Sequence, residues 1–595
     1  MSFNTEVAGL FDRMSAMLEL TGADRFRVNA HAKAARVIRD HTGDLSPIAG
    51  DVAALTALDG VGKGTAAKIA EFAQSGRIAE HDELAEKVPE GVIGLLDVQG
   101  LGPKTVKLLW EQQGVDSLGA LKGAIEDGSI LELPRMGART VENIRESIAF
   151  LESSGTRLPI GIAMPIAESL VARMSSLDGV TDCAFAGSLR RGCESIGDID
   201  ILIATDDPET AREAFCTHDA VVRVLARGET KCSVRIGLGD RGGRFGAGGD
   251  QAVQADLRIV PRASWGSALM YFTGSREHNV RMRERALAKG MTLNEYGLFP
   301  EDRDDPSPPQ QRGVAAHAGG TEASIYAALA LPMIEPQLRE DRGEMALEQA
   351  PELIRVADIR AELHSHTVAS DGEMEIHESA AIAKRRGFHT LAITDHSQSS
   401  AIANGLKPDR LRAHIERIRA VDAETDGISI LAGSEVDILV DGSLDYEDEL
   451  LTELDVVVAS PHAGLKAKPA QATRRLLRAI EHPLVHIIGH PTGRLIERRA
   501  GLEPAMDELI AAAIEHDVAL EINAHWMRLD LRDTHVRAAA EAGCMIAIDC
   551  DVHTAGDYDN LRYGVLTGRR GWLTPELCVN TWDPQRLHAW LRSKR

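Results

Sequence analysis

The sequence predicts a multidomain fold. Helical domains lie at the N-terminus, an α+β region follows, and alternating strands and helices form a barrel at the C-terminus. Three observations support this prediction. The chain has 595 residues, more than one hydrophobic core usually serves. A glycine turn followed by a helix repeats within residues 1–150. From about residue 360, short apolar runs repeatedly end in His, Asp or Glu, as strands of a barrel with a site at one end would.

The composition is that of an ordinary globular protein, with 44% hydrophobic and 26% charged residues. The net charge of −24 argues against binding nucleic acid through a basic surface. No apolar run reaches the roughly 18 residues of a membrane span, and the N-terminus lacks the pattern of a signal peptide. Seven cysteines without paired spacing suggest reduced thiols. We therefore expect a cytoplasmic protein that makes no membrane contact.

The N-terminal repeat consists of LDGVGKGTAAKI (58–69), VQGLGPKTVKLL (98–109) and the degenerate LPRMGARTVENI (133–144). Glycine lets the backbone approach a ligand closely, and the amides at a helix start attract anions. The repeats resemble the helix-hairpin-helix motif, which holds DNA phosphates without reading the base sequence. The candidate DNA-binding glycines are Gly60, Gly62, Gly100 and Gly102, and the third copy keeps only Gly137.

The stretch GSLRRGCESIGDIDILI (187–203) combines cations and carboxylates. Residues two apart on a strand face the same side, so Asp198 and Asp200 share one face. Two carboxylates aimed at one point need a cation, and hard divalent cations also bind phosphates. Two such ions can activate an attacking oxygen and stabilise the leaving oxygen. Ser188 and Arg191, beside the turn at Gly187, would hold a triphosphate. Asp256, in the strand-like QADLRIV, offers a third carboxylate.

These residues resemble the family X DNA polymerases, together with GETK (228–231), DLRIVP (256–261) and YFTGS (271–275), over about residues 1–340. The resemblance implies Asp198, Asp200 and Asp256 as catalytic metal ligands, with two Mg²⁺ or Mn²⁺ ions and Asp256 as the base toward the primer 3′-OH. Tyr271, Phe272 and Gly274 would line the sugar pocket, whereas Asn279 and Arg283 would approach the nascent base pair. The Gly-rich stretch 239–251 before Asp256 predicts a hairpin tip.

The first hairpin also resembles the small lyase domain of that family. Lys68 falls at the position of the lysine that forms a Schiff base there, so 5′-deoxyribose-phosphate lyase activity is a candidate. The match is imperfect, because Gly64 and Arg27 stand where the family often has lysines. A monovalent cation at the helix-hairpin-helix motifs is a further candidate cofactor.

In the second half, seven apolar runs end in polar residues: AELHSH, TLAITDH, SILAGSEVDIL, DVVVASPH, VHIIGHP, ALEINAH and MIAIDCDVH. Barrels of parallel strands place their chemistry at the carboxyl ends of the strands. Histidines and carboxylates without cysteine suit Mn²⁺, Zn²⁺ or Fe. A cluster of such ions activates water and stabilises a phosphate leaving group.

The order of these motifs over residues 357–575 resembles the PHP (polymerase and histidinol phosphatase) domain, a distorted (β/α)₇ barrel. The resemblance implies up to three ions, Mn²⁺ or Zn²⁺, with Glu435 bridging two of them. Its ligand positions are filled by His364, His366, Asp371, His396, Glu435, His462, His490, Asp551 and His553. Asp549 is a rival to Asp551, because the last motif is DCDVH here and usually SDAH in the family.

The predicted layout comprises a lyase-like helical domain (1–85), a fingers-type helical domain (86–152), a nucleotidyltransferase palm (153–262), a thumb (263–338), a linker (339–356) and the PHP domain (357–595). We expect a bacterial, nucleoid-associated monomer that binds gapped or nicked DNA and dNTPs. It would fill short gaps in base excision repair or end joining, and its PHP domain would act as a 3′-5′ exonuclease or cut abasic sites. The alternatives are a histidinol-phosphate-type phosphatase with an inactive polymerase half, and a DNA-binding scaffold.

Overall fold

The computed structural model describes residues 3–41, 43–58, 60–98, 101–133, 136–137, 140–141, 144–145, 148, 157–238, 252–302, 304–305 and 307–594. Gly100 and the predicted hairpin tip at 239–251 lie outside these residues. The chain divides into two compact units, residues 1–156 with 242–251 and residues 157–241 with 252–595. No helix of the described residues is long and apolar enough to cross a membrane.

The first unit is helical. Its helices are α1 (Phe3–Thr21), α2 (Arg25–Asp40), α3 (Val52–Thr56), α4 (Lys63–Ser75), α5 (Ala79–Lys87), α6 (Glu90–Gly94), α7 (Pro103–Gln113) and α8 (Leu118–Glu126). Apolar residues at helical spacing, such as Phe11, Met14 and Leu18, are fully buried in one core. Helices α4 and α7 both end at a left-handed glycine, Gly76 and Gly114.

The glycine turns begin helices in the way the repeat predicts. Gly62 precedes α4 and Gly102 precedes α7, and neither supplies a side-chain cap. The first amides of both helices therefore lack the hydrogen bond that a Ser or Asp cap would accept. In the third copy, Thr140 and Val141 donate to the Gly137 carbonyl in the same pattern in which Thr105 and Val106 donate to Gly102.

The second unit begins with a mixed five-stranded sheet in the spatial order β2-β4-β7-β6-β5. Strands β4 and β7 are parallel and central, whereas the other pairs are antiparallel. The elements are β1 (Leu158–Pro159), α9 (Ile160–Ser175), β2 (Val180–Phe185), α10 (Gly187–Arg190), β3 (Ser195–Ile196), β4 (Asp198–Thr205), α11 (Pro208–Cys216), β5 (Val221–Arg227), β6 (Lys231–Gly237) and β7 (Ala252–Val260).

A smaller region follows, with α12 (Trp265–Thr273), α13 (Arg276–Ala288), the hairpin of β8 (Met291–Asn294) and β9 (Gly297–Pro300), and α14 (Glu322–Ala328). The segment predicted as a linker, 339–356, contains charges that are fully buried, at Arg339 and Glu344. Arg339 donates to Glu322, and Glu344 accepts from His278. Each buried charge thus has a hydrogen-bond partner, which is the condition for burying it.

The C-terminal region is a nearly closed barrel of seven parallel strands in chain order. The strands are β10 (Ala361–Glu362), β11 (Thr390–Ile393), β12 (Ser429–Asp437), β13 (Val456–Ser460), β14 (Ile487–Ile488), β15 (Ala519–Asn523) and β16 (Ile546–Asp549). The seam between the first and last strands is closed just beyond them, where the amide of His366 donates to the Val552 carbonyl over 2.7 Å.

Helices cover the outside of the barrel: α15 (Ile376–Arg385), α16 (Pro408–Glu424), α17 (Asp448–Leu451), α18 (Pro469–Ile480), α19 (Met506–Glu515), α20 (Asp533–Ala542), α21 (Leu561–Arg570) and α22 (Pro584–Arg592). Alternate residues of β13 pack into two cores, because side chains alternate along a strand. Val457 joins the outer core, while Val458 joins an inner one with Trp582 and Trp590. The inner core fills the barrel at the strand starts and leaves the carboxyl ends for polar residues.

We predict that Gly60→Ala destabilises the N-terminal unit by about 1–3 kcal/mol, since a left-handed φ strains any other residue. Gly60 has φ +88°, and an added Cβ would lie 2.8 Å from Val37 Cγ2. Thermal unfolding of the full chain measures the effect. Gly64→Ala is the matched control, because no heavy atom lies within 4 Å of its Cβ position. Equal melting profiles for the two variants would contradict the prediction.

Candidate active sites

The first candidate site lies on the two parallel strands of the mixed sheet. Asp198 and Asp200 are on β4, and Asp200 is directly opposite Asp256 on β7. Ile199, Ile201 and Ile203 point to the other side of β4 and are fully buried. Parallel neighbours in register place these side chains together, so the structure brings the three aspartates to one point of the sheet, as the alternation predicts.

Burial and like charges both act at this site. Burial, followed by the carboxylates of Asp198 and Asp256, raises the pKa of Asp200 to about 7. Burial and Asp256 also raise the pKa of Asp198. The ammonium group of Lys231 lies 2.5 Å from Asp256 Oδ2 and offsets part of the negative charge. Three clustered carboxylates with one lysine fit a divalent cation with oxygen ligands.

The turn beside these aspartates requires a glycine. Gly187 has φ +63°, and a Cβ there would lie 2.5 Å from Asp200 Oδ2. The short helix α10 follows, and half-buried Ser188 lies in it. Arg191 comes next and donates from Nη1 to the Thr273 carbonyl over 2.9 Å. This bond joins the candidate phosphate-binding turn to the YFTGS segment.

The YFTGS segment ends helix α12. The rings of Tyr271 and Phe272 are 5.2 Å apart and perpendicular, and the guanidinium of Arg258 lies 5.1 Å from the Phe272 centroid. Asn279 on α13 donates to the carbonyls of Tyr271 (2.7 Å) and Gly274 (3.2 Å).

Asn279, on the helix that follows the YFTGS segment, has one acceptor atom that makes no hydrogen bond to the described residues. This atom is the buried Oδ1 of its side chain. Arg283, one turn further along α13, is exposed.

The second candidate site is a cluster at the carboxyl ends of the barrel strands. Three groups place potential metal-binding atoms within 4.8 Å of one another. They are His366, Asp371, His396 and His553; His364, His366 and Asp551; and His396, Glu435 and His462. His490 completes the set, with Nε2 2.9 Å from Glu435 Oε1.

Glu435 is the centre of this cluster. Its carboxylate lies within 3.6 Å of five imidazoles, those of His364, His366, His396, His462 and His490. Burial would raise its pKa, but the surrounding histidines hold the pKa well below its usual range. For His396 the effects have the opposite sign. Burial lowers its pKa, but the negative charges of Glu435 and Asp371 outweigh burial and raise the pKa to about 11.

Several atoms of the cluster are buried and lack hydrogen bonds of acceptable geometry within the described residues. They are His364 Nε2, both ring nitrogens of His366, His396 Nδ1, both oxygens of Glu435, His490 Nδ1 and Asp551 Oδ1. A buried polar group without a partner costs free energy. Metal ions would supply the missing partners, so the residues present fit a multinuclear centre of imidazole and carboxylate ligands.

The cluster has a closed floor and an open side. The side chains of His364, His366, Glu435 and His490 are at most 1% exposed, whereas that of Asp371 is 34% exposed. A substrate therefore approaches from the side of Asp371. Two of the clustered residues are backbone outliers, His490 with φ 27° and Asp551 with φ 53°. Strained backbone of this kind concentrates at functional sites.

Two carboxylates behind the cluster were missed by the sequence analysis. Glu521 accepts from His364 Nδ1 over 2.6 Å, and Asp437 pairs with His462 Nδ1. Such partners fix the ring orientation and tautomer of metal-binding histidines. Glu521 could have been predicted from the sequence, because it lies on the strand ALEINAH, for which only the terminal His525 was considered.

The structure separates the two rival aspartates. Asp549 accepts from the Leu363 amide and the Asn580 side chain at the closed seam of the barrel. Asp551 lies among the imidazoles, with Oδ1 3.1 Å from His366 Nε2. The D-x-H spacing selects Asp551, whereas the strand face is shared by Asp549 and Asp551. The spacing is therefore the better predictor of the residue at the cluster.

In the N-terminal unit, Lys68 on α4 forms an ion pair with Glu80, with Nζ 2.9 Å from Oε2. Glu80 also accepts from Arg27. Burial would raise the Glu80 pKa, but Lys68 and Arg27 lower it to about 2. The ion pair requires the ammonium form of Lys68, whereas Schiff-base formation requires the free amine.

Family models match most of the chain in pieces. They describe a helix-hairpin-helix domain (2–78), a SAM-like helix-hairpin-helix tandem (92–149), a DNA polymerase beta palm (157–234), a DNA polymerase beta thumb (268–340) and a PHP domain (362–525). The palm match contains Asp198 and Asp200. The PHP match contains seven of the nine clustered residues, those from His364 to His490.

Among curated proteins, the DNA polymerase/3′-5′ exonuclease PolX of Bacillus subtilis strain 168 is 34% identical over 99% of both chains. The DNA polymerase lambda of Rattus norvegicus is 26% identical over 57% of this chain and 56% of its own length. A probable phosphatase of Thermoanaerobacter sp. strain X514 is 26% identical over 39% of this chain and 94% of its own length.

We predict that Asp200→Asn stabilises the metal-free protein at pH 8 and has little effect near pH 4. A carboxyl whose pKa rises from 3.8 to about 7 on folding binds more protons when folded, so its cost grows as the pH rises through this range. The gain is at most about 4 kcal/mol. Urea unfolding in chelator measures it, with the exposed Asp206→Asn as control. A gain that is independent of pH would contradict the prediction.

We predict that Glu435→Gln removes most of the metal held by the barrel, because it neutralises the carboxylate that contacts five imidazoles. Elemental analysis of desalted protein after Mn²⁺ loading measures the bound ions. Asp448→Asn is the matched control, since the Asp448 side chain is 72% exposed and pairs with His482. Equal metal content in the two variants would contradict the assignment, provided that circular dichroism shows both to be folded.

Proposed function

As the chain belongs to the PolX family of DNA polymerase/3′-5′ exonucleases, we propose that one half of it fills short gaps in damaged DNA and the other trims 3′ ends. The observation that carries this proposal is that one chain contains two separate groups of ionisable side chains. Three aspartates lie on parallel strands at the first, and nine imidazole and carboxylate residues converge at the second.

At the first site, Asp198, Asp200 and Asp256 would hold divalent cations, which shield the triphosphate charge and promote ionisation of the primer 3′-OH. Two ions, Mg²⁺ or Mn²⁺, are proposed. Arg191 and Ser188 bind the triphosphate, and Asp256 accepts the proton of the 3′-OH. The 3′ oxygen then bonds to the α-phosphorus of the dNTP, and pyrophosphate leaves.

The YFTGS segment accounts for selection of the nucleotide. Tyr271 and Phe272 form one wall of the sugar pocket, and the carbonyls of Tyr271 and Gly274 are fixed by Asn279. A rigid backbone at this place leaves little room for a ribose 2′-OH. Asn279 approaches the minor-groove edge of the nascent pair, and exposed Arg283 contacts the template.

At the second site, bound Mn²⁺ or Zn²⁺, in up to three ions, would activate water and stabilise the leaving oxygen. Glu435, which lies within 3.6 Å of five imidazoles, would hold these ions together with the histidines around it. Asp371, His462 and His553 form the open side, where the terminal phosphodiester binds. Glu521 and Asp437 hold the rings of His364 and His462 in place from behind. Cleavage at abasic sites would use the same groups.

The remaining proposals concern the cellular setting and the binding partners of the protein. We propose a monomer that acts on gapped DNA in base excision repair or end joining, in a bacterial cytoplasm. Its hairpins hold the DNA backbone through Gly60, Gly62, Gly100 and Gly102, with a monovalent cation as an aid. Lyase activity at Lys68 would first require release of the lysine from Glu80, and the anionic 5′-phosphate of a substrate would compete with Glu80 for its ammonium group.

The alternatives have less support. A phosphatase acting on small molecules would explain the likeness to the probable phosphatase but would leave the palm and thumb without a use. A scaffold without activity would leave the orphaned polar atoms of the barrel cluster unexplained.

A 5′-labelled primer on a duplex with a one-nucleotide gap and a 5′-phosphate tests both activities. The protein is supplied with Mn²⁺, with and without dNTPs, and products are resolved by length. Primer lengthening with dNTPs and shortening without them would support the proposal. Shortening alone would leave the three aspartates unexplained. A primer that neither lengthens nor shortens would refute both activities.

We predict that Asp198→Ala reduces nucleotide addition at least about 100-fold, because one ligand of the transfer site is lost, and leaves trimming within about twofold. His364→Ala should do the reverse. The same gapped primer measures both rates. If either substitution in folded protein removed both activities, the two sites would not be separate.

A further inference from the structure

The candidate triphosphate-binding arginine is held by the segment that leads into the barrel. Arg191 donates from Nε to Glu340 Oε1 over 2.9 Å and from Nη1 to the Thr273 carbonyl over 2.9 Å. Its side chain is 14% exposed. Nη2 has no partner within the described part of the chain, so one end of the guanidinium is left for a ligand.

Glu340 is shared with a residue of the barrel itself. Arg570, the last residue of helix α21, donates from Nη1 to Glu340 Oε1 over 2.7 Å and to the Arg191 carbonyl over 3.1 Å. Its Nε and Nη2 contact Asp533 Oδ2 at 3.0 and 2.8 Å, and Arg342 binds the same oxygen at 2.9 Å. The barrel therefore reaches both the side chain and the backbone of the nucleotide site.

The charges in this network do not cancel. Three guanidiniums, those of Arg191, Arg342 and Arg570, face two carboxylates, those of Glu340 and Asp533. Burial would raise the pKa of Glu340, but Arg570 and then Arg191 lower it to about 2. Because Arg570 also donates to Glu340 Oε1, and over a shorter distance than Arg191 does, this carboxylate offsets less of the Arg191 charge than it would alone.

We propose that Arg570 is a positioning residue for nucleotide binding, which shares Glu340 with Arg191 and so leaves Nη2 of the Arg191 guanidinium available to bind the triphosphate of an incoming nucleotide. This inference rests on the proposed polymerase function and deepens it. The C-terminal barrel then contributes to the nucleotide affinity of the other half through one shared carboxylate, besides carrying its own site.

The matched control is the neighbouring Arg569. It lies on the same helix and contacts Gln337, the Ile354 carbonyl and Glu335, all at 3.1 Å. Arg569→Gln therefore removes a cation and comparable contacts, yet it leaves Glu340 and Arg191 in place.

The test measures dNTP affinity without turnover. Full-length protein binds a one-nucleotide-gap duplex whose primer ends in a dideoxynucleotide on a phosphorothioate linkage, and the complementary dNTP is titrated with Mg²⁺. We expect Arg570→Gln to weaken dNTP binding about 10-fold, or about 1.4 kcal/mol. The double variant Arg570→Gln/Glu340→Gln should return to within about threefold of wild type, because the unpaired carboxylate is gone. Arg569→Gln should bind like wild type.

The proposal is overturned if Arg570→Gln binds dNTP like wild type, or if the double variant binds no better than Arg570→Gln. Trimming of 3′ ends checks that the barrel is folded in each variant. If Arg570→Gln does not fold, the single variant Glu340→Gln decides the question. The proposal requires that this variant bind dNTP as tightly as wild type or more tightly. A purely structural role for Glu340 requires weaker dNTP binding. Failure of the polymerase function itself appears separately, as a wild-type protein that does not extend an ordinary primer.

Discussion

Both candidate sites depend on ionisable side chains that the strands hold close together. At the first site, burial and neighbouring carboxylates raise the pKa of Asp198 and of Asp200, and Lys231, Arg157 and Arg258 offset part of this effect. At the second, one glutamate lies among five imidazoles, and eight of the buried ligand atoms there lack proper hydrogen bonds within the described residues. Neither arrangement is stable without compensation, because a buried charge or orphan dipole is costly. Divalent cations provide that compensation in both, so the same physical constraint underlies polymerisation and trimming.

The register and the parallel direction of the strands bring these groups together. Parallel strands in register bring Asp200 opposite Asp256, and seven parallel strands direct nine side chains to one end of a barrel. The opposite end of the barrel is filled by an inner core that includes Trp582 and Trp590. The rigid scaffold therefore carries the energetic cost of the polar cluster, and strained residues such as His490 and Asp551 can persist where they are needed.

The acidic composition and the DNA substrate are compatible for a structural reason. The glycine turns before α4 and α7 leave helix amides without side-chain caps. Backbone amides attract phosphate whatever the net charge of the chain. Buried arginines are largely committed to internal pairs, as Arg190 and Arg339 are to Glu322. Local geometry thus supplies the cation-like groups that the surface composition lacks.

The sequence by itself predicted the fold classes, the three aspartates and the residues of the barrel cluster, and it left open whether Asp549 or Asp551 belongs to that cluster. Alternation along strands and motif order are local properties, and they survive folding unchanged. Only the tertiary structure decided that Asp551 and not Asp549 lies among the imidazoles, that Glu521 and Asp437 support the cluster, and that Lys68 pairs with Glu80. It also decided that Glu340 and Arg570 reach Arg191, 149 and 379 residues apart along the chain. These contacts join residues far apart in sequence, and no local periodicity encodes which distant charge will neutralise a buried one.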